Sequence, residues 1–204
     1  MTLPSPDLSA LRDAIVSGDP SRAMPALVGL REVPDEQAVP LLLLGLEQSI
    51  FMVRSLSCAG LGVKQSEVGW QALVNAVQHD EDANVRAEAA NSLVSHSLER
   101  AWPLLREVFA ADQQWLVRCS ILSALAEQPT IDPAWLLELA AMAITDADGT
   151  VRVGGAEILG RLVRDHDRDR GDGNGDGEAR ALLLQLQGDS DHRVVAAALN
   201  GLQG

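Results

Sequence analysis

Asp80-Glu81-Asp82-Ala83-Asn84-Val85-Arg86-Ala87-Glu88-Ala89-Ala90-Asn91-Ser92-Leu93 is a stretch that occurs, in altered form, five times. Its Val-Arg pair returns as Val53-Arg54, Val117-Arg118 and Val151-Arg152, at spacings of 32, 32 and 34 residues. A fifth copy, HRVVAAALNGL, has Val194 at the Val position and Val195 at the Arg position. Five residues before each Val stands Gln48, Asp80, Asp112, Asp146 or Asp189; eight after it stands Leu61, Leu93, Leu125, Leu159 or Leu202. Val, +4, +5 and +8 share one side of a helix of 3.6 residues per turn. Small residues at +4 and +5, such as Ala89-Ala90 and Gly155-Ala156, keep that side narrow.

A second apolar segment precedes each copy: Ala38–Leu46, Gly69–Gln78, Ala101–Ala110, Pro133–Ile144 and Glu178–Gln187. The unit is therefore a helix A, a tight acidic turn and a helix B. The second Asp of the turns Asp80-Glu81-Asp82, Asp146-Ala147-Asp148 and Asp189-Ser190-Asp191 suits the N-cap of helix B. Asp7–Ser17 and Ser21–Glu32 read as a degenerate first unit, a cap over residues 1–34. The expected fold is all-α, an α-α superhelix of about six helical pairs over residues 1–204. The last Val-to-Val interval is 43 residues, and the excess falls in the acidic, Gly-rich run 165–178, DHDRDRGDGNGDGE, expected as a flexible insertion.

Composition agrees with helix and narrows function. The 204 residues are 47% apolar but only 3% aromatic, with no Tyr, which disfavours a β-sandwich or barrel. The formal net charge is −13, with 16 basic residues and one lysine, Lys64. Nucleic acid and anionic membranes are bound through clustered Lys and Arg, so neither is an expected partner. The longest uncharged apolar run, Ala38–Leu46, falls far short of the roughly 20 residues of a membrane span. Met1–Asp7 lacks a basic region and an apolar core, so a cytoplasmic location is expected.

The pattern D-x-x-x-x-V-R-x-x-A-A-x-x-L resembles HEAT repeats, above all the short HEAT-like repeat of phycobilisome lyases, over residues 35–204. DANVRAEAANSL, QWLVRCSILSALAEQP, DGTVRVGGAEILGRL and DHRVVAAALNGLQ are similar to a cyanobacterial group that includes the IscA-interacting HEAT-repeat protein. That resemblance implies an armadillo-type fold and a protein partner: an iron–sulfur carrier, a phycobiliprotein or a second HEAT chain. It also implies an alternative, a subunit or chaperone of an E/F-type phycobilin lyase.

No catalytic, cofactor or metal site can be defended from the residues. Asp172-x-Asn174-x-Asp176-Gly177 matches half of an EF-hand loop, but Leu183 stands where the bidentate Glu belongs. The HEAT-repeat hydroxylase of deoxyhypusine uses His-Glu pairs, whereas His79, His96, His166 and His192 precede Asp80, Ser97, Asp167 and Arg193. All four read as solvated histidines in turns or helix ends. Cys58 and Cys119 occupy small-residue slots and supply too few thiolates for an iron–sulfur cluster, so an iron–sulfur partner would be held as a protein. Trp70, Trp102 and Trp135 share a helix A slot and read as a packed stripe.

Function is thus expected on the surface. In the HEAT architecture the B helices line the concave face, where positions +3, +6 and +10 point away from the core. These are Glu88, Asn91 and Ser95, then Ser120, Ser123 and Glu127, then Glu157 and Arg161, with Trp115 off-pattern at the start of its helix. The row is polar and mildly acidic, which suits a protein partner. Arg54, Arg86, Arg118 and Arg152, each after an acidic or polar turn, read as a structural ladder between repeats, since a stacking contact is needed in every repeat and an active site once.

Overall fold

A computed structural model describes residues 7–169 and 175–203. Among them there are twelve α-helices, one short 3-10 turn and no strand. The chain divides at Ala101/Trp102 into two compact units.

The first unit holds α1 (Leu8–Ile15), α2 (Pro20–Gly29), α3 (Asp35–Leu46), α4 (Phe51–Val63), α5 (Glu67–His79), α6 (Ala83–His96) and the start of α7 (Leu98–Ala111). Its even-numbered B helices pack in succession, α2 on α4 and α4 on α6, while α1, α3 and α5 form the other layer. The second unit holds the rest of α7, then α8 (Trp115–Ala126), α9 (Pro133–Ala143), α10 (Gly149–Asp169), α11 (Gly175–Leu186) and α12 (His192–Leu202). Here α10 is the hub, packed against α8 and α12 in the B layer and against α9 and α11 behind it. The fold class is the expected one, an all-α array of helical pairs.

The repeat leucines and valines make the core. Val53, Val85, Val117, Val151 and Val194 are buried, as are Leu61, Leu93, Leu125 and Leu159. The small residues set how close the B helices come. A Cβ on Gly62 would stand 2.9 Å from the Cβ of Ser92, and one on Gly160 would stand 2.7 Å from the Cα of Gly201. Backbone approach that tight excludes any side chain without a shift of the helices.

The turns are capped as the second-Asp pattern predicts. Asp82, Asp148 and Asp191 accept the backbone N–H of Asn84, Thr150 and Arg193 at 2.8, 2.7 and 2.9 Å. That satisfies a donor each helix would otherwise leave orphaned. In the first unit Asp7 and Asp19 cap α1 and α2 in the same way, and Gly18, at φ +72°, makes the left-handed turn between them.

Two expectations are revised. Helices α3 and α7 begin three residues before Ala38 and Ala101, with Pro40 and Pro103 inside them rather than near their starts. The run 165–178, expected as a loop, is helical at both ends: 165–169 belong to α10 and 175–178 to α11. Residues 170–174, including Asp172 and Asn174 of the EF-hand-like half motif, lie outside the described residues.

Candidate functional site

The recurring arginines do structural work. Arg54 makes two hydrogen bonds to Asp80, from Nε at 2.8 Å and from Nη2 at 2.9 Å, while Nη1 donates to the carbonyls of Gln48 and Ser49 at 3.0 Å each. Arg152 repeats this with Asp189, at 2.8 and 2.9 Å, and with the carbonyls of Asp146 and Ala147. Arg118 reaches Asp146 from Nε at 2.7 Å and Nη2 at 3.0 Å, and donates to the Asp112 carbonyl at 2.6 Å. In each rung one guanidinium therefore ties the turn before its own helix to the first Asp of the next turn.

That Asp is itself built in. Asp80, Asp146 and Asp189 accept the amides of Asp82, Asp148 and Asp191, at 2.9, 2.8 and 2.7 Å. Burial works against the Asp80 carboxylate, but the hydrogen bonds from Arg54 and the Asp82 amide, with the charge of Arg54 and Arg86, outweigh it and hold the group below its ordinary range. The hydrogen bond from Arg152, then that of the Asp191 amide, holds Asp189 low as well. Planar, bidentate pairing of this kind is what Arg provides and Lys does not. These charges are consumed at the turns and leave little there for a ligand.

The histidines and cysteines also serve packing. His96, expected in solvent, is half-buried: its Nε2 accepts the Ser66 amide at 3.1 Å and its ring meets Trp70 edge-on at 5.4 Å. Arg100 covers the other part of Trp70, 4.1 Å from the ring centroid, and pairs with Glu67. In the second unit Trp102 and Trp135 stack at 5.3 Å with planes 7° apart. The packed-stripe reading thus describes two separate aromatic clusters. Burial, with the nearby charge of Glu88, pushes the Cys58 thiol up to about 12, so it is not a nucleophile at neutral pH. Burial raises half-buried Cys119 too. Among the described residues no cluster of three or more His, Cys, Asp or Glu is placed to hold a metal ion. None of the described helices is long and apolar enough to cross a membrane.

The row of outward positions is divided by burial. In the first unit Glu88 and Asn91 on α6 are half-buried, and burial raises the Glu88 carboxyl although Ser92 hydrogen-bonds to it. In the second unit Ser123, Glu127 and Glu157 are exposed, and Ser120 is half-buried. Ser123, Glu157 and Arg161 line one groove of about 130 Å³ between α8 and α10, floored by Leu122, Gly154 and Ile158. Arg161 is less available than an outward position suggests. Its guanidinium donates to the carbonyls of Ala126 and Gln128, closing the end of α8, and pairs with Asp165 at 3.2 Å. Trp115 is 47% exposed at the first turn of α8 and does not line that groove. Sequence reasoning passed over a second groove, between α2 and α4, whose apolar lining is legible once the outward register is applied to α4.

Residues 39–126 match the family of HEAT repeats. Among solved structures, the Escherichia coli protein YibA is similar with a TM-score of 0.66 at 18% identity, over 97% of this chain and 70% of that one. An engineered protein aligns with a TM-score of 0.55 at 16% identity, over 98% and 96% of the two chains. Human deoxyhypusine hydroxylase aligns with a TM-score of 0.50 at 12% identity, over 96% and 94%. Likeness at these identities shows the fold and no activity. No curated protein sequence matches the chain.

Proposed function

We propose that the chain is a non-catalytic HEAT-repeat adaptor that binds a protein partner along its B-helix face. The observation that carries this is a division of labour among the polar residues. The turn arginines and aspartates are used up in linking repeats, whereas Ser123, Glu127 and Glu157 stand exposed on the B helices. Exposed polar side chains with no reactive neighbour suit recognition rather than chemistry. Glu88, Asn91, Trp115, Ser120 and Arg161 belong to the same contact set, with Arg161 acting mainly as a support. A net charge of −13 favours a partner that is basic where it meets Glu127 and Glu157.

The resemblance of the repeats puts an iron–sulfur carrier first among partners, with a phycobiliprotein or a second HEAT chain as the alternative. Affinity purification from the native cell, with the co-purifying proteins identified, tests the reading. Reversing Glu127 and Glu157 to Lys should then slow association and weaken its salt dependence, whereas Glu107→Lys on α7, exposed on a helix A, should change neither. If Glu107→Lys abolishes binding and the double reversal does not, the contact lies on the helix A side. If the chain together with a second HEAT chain attaches a bilin to a phycobiliprotein, the lyase reading replaces the adaptor reading.

A further inference from the structure

The repeat register, carried to α4, places Leu56, Ala59 and Val63 at the outward positions +3, +6 and +10 from Val53. On α6 the same positions hold Glu88, Asn91 and Ser95, so the B-helix face changes from polar to apolar within one unit. Leu56, Ala59 and Val63 face Leu27 and Val28 of α2 across a groove of about 220 Å³. Val28 and Val63, on its two walls, are each 61% exposed. Leu42 closes the floor, and Gly60 lies so close above it that a Cβ there would stand 2.3 Å from a Leu42 methyl. The volume is below the roughly 300–1,000 Å³ of small-molecule sites, and matches a few inserted side chains better than a cofactor.

The charged residues lining the groove are both cations, Arg31 and Lys64. Lys64 is already satisfied. Its Nζ donates to the carbonyls of Arg31 and Val33 at 3.0 and 2.7 Å and pairs with Asp35 at 3.1 Å. That clasp fixes the Arg31 backbone at the groove mouth, while the Arg31 side chain is exposed, without a carboxylate partner among the described residues.

We propose that the α2–α4 groove is the apolar anchor of the partner-binding face. Its occupant is an amphipathic helix of the partner, with two apolar side chains one turn apart seated between Val28 and Val63 and an Asp or Glu set against Arg31. This rests on the adaptor reading and names the chemistry of its partner. A helix suits a groove bounded by two packed helices, because residues one turn apart on one face reach the same trough. The acidic group answers the one lining charge the fold leaves unmatched. A second copy of this chain is a poor occupant, since two chains of net charge −13 repel.

The probe is a randomised amphipathic-helix peptide library, selected against the intact chain, with the best peptides titrated by fluorescence anisotropy. Selected peptides should carry paired apolar residues one turn apart and an adjacent Asp or Glu. Val63→Asp and Val28→Asp should each weaken them at least about tenfold, as loss of a buried anchor does. Both side chains are exposed, so the fold survives, which circular dichroism checks. Arg31→Glu should weaken the acidic peptides, and exchange of the peptide's acid for Lys should restore them. The proposal is overturned if no peptide is selected, if selected peptides are indifferent to Val28 and Val63, or if Arg31→Glu changes nothing. A dimer that Val63→Asp dissociates, or peptide displacement by decanoate at its binding concentration, would assign the groove to another occupant and likewise overturn it. If native partner capture is lost on ridge reversal but unaffected by Val63→Asp, the groove assignment fails and the adaptor reading stands. If no native partner engages either surface, the adaptor reading fails, and the groove assignment, which rests on it, fails with it.

Discussion

Replacing Arg118 by Ala removes a whole rung of the ladder. The change deletes one hydrogen bond to Asp146 from Nη2, the ion-pair contact of Nε with the same carboxylate, and one hydrogen bond to the Asp112 carbonyl. The side chains of Arg118 and Asp146 are 12% and 11% exposed, so neither partner regains full hydration. A buried acceptor left unmatched costs about 1–3 kcal/mol. The full loss of a buried ion-pair partner costs about 3–5 kcal/mol. The rung lies at the edge of the repeat, and Asp146 keeps the Asp148 amide, so the lower range applies, about 1–3 kcal/mol. For a chain of this size that is a fall in Tm of roughly 2–12 °C. Calorimetry on the wild type, Arg118→Ala, Asp146→Asn and the double variant gives both the loss and the coupling. Arg118→Lys should recover only part of it, because an ammonium cannot hold the carboxylate and the Asp112 carbonyl in one plane. An unchanged Tm in Arg118→Ala, or single-variant losses that simply add in the double, would refute the ladder as a stabilising device.

Three further outcomes follow from the same geometry. Asp80, Asp148 and Asp189 titrate below the ordinary carboxylate value when folded, so the stability they supply is fully present above about pH 4 and is lost as the pH falls through their lowered values; urea unfolding between pH 6 and pH 3 should show that decline, and Asp189→Asn should flatten it. With its thiol pushed up to about 12, Cys58 should resist a disulfide reagent in the native chain and react once the chain is unfolded in urea, while half-buried Cys119 reacts slowly; rapid native labelling of Cys58 would contradict its burial. Gly160→Ala should destabilise by about 1–3 kcal/mol because its Cβ meets the Gly201 backbone, whereas Gly177→Ala, with open space around it, should be neutral or slightly stabilising by up to about 1 kcal/mol.

Much of this fold was legible because the signal is repeated. One Val-Arg match is weak, but five copies in register fixed the helix B faces, and the second-Asp rule located the caps on Asp82, Asp148 and Asp191. The starts of α3 and α7 were misplaced, since Pro40 and Pro103 occupy the sixth position and lose a hydrogen bond the helix tolerates, whereas α9 begins at Pro133 as expected. His96 was misread because its partners, Ser66 and Trp70, lie at the start of α5, at the far end of the same helical pair and 30 residues back for Ser66, and no local pattern announces such contacts. Arg161 was misread for the same reason, as its carbonyl partners lie 33 and 35 residues away. The α2–α4 groove was missed for another reason. Its outward residues are apolar, and apolar residues in a helix are read first as core.

The ladder sits at the turns, while the outward positions sit along the B helices. Substitutions at positions such as Ser123 or Glu157 therefore leave every Arg–Asp rung untouched. Such a separation makes the scaffold evolvable. Specificity can drift residue by residue along the face without crossing an unstable intermediate, and a duplicated unit brings its own fastening to the next. A designer could graft a new recognition row onto α8 and α10 and expect the chain to fold as before.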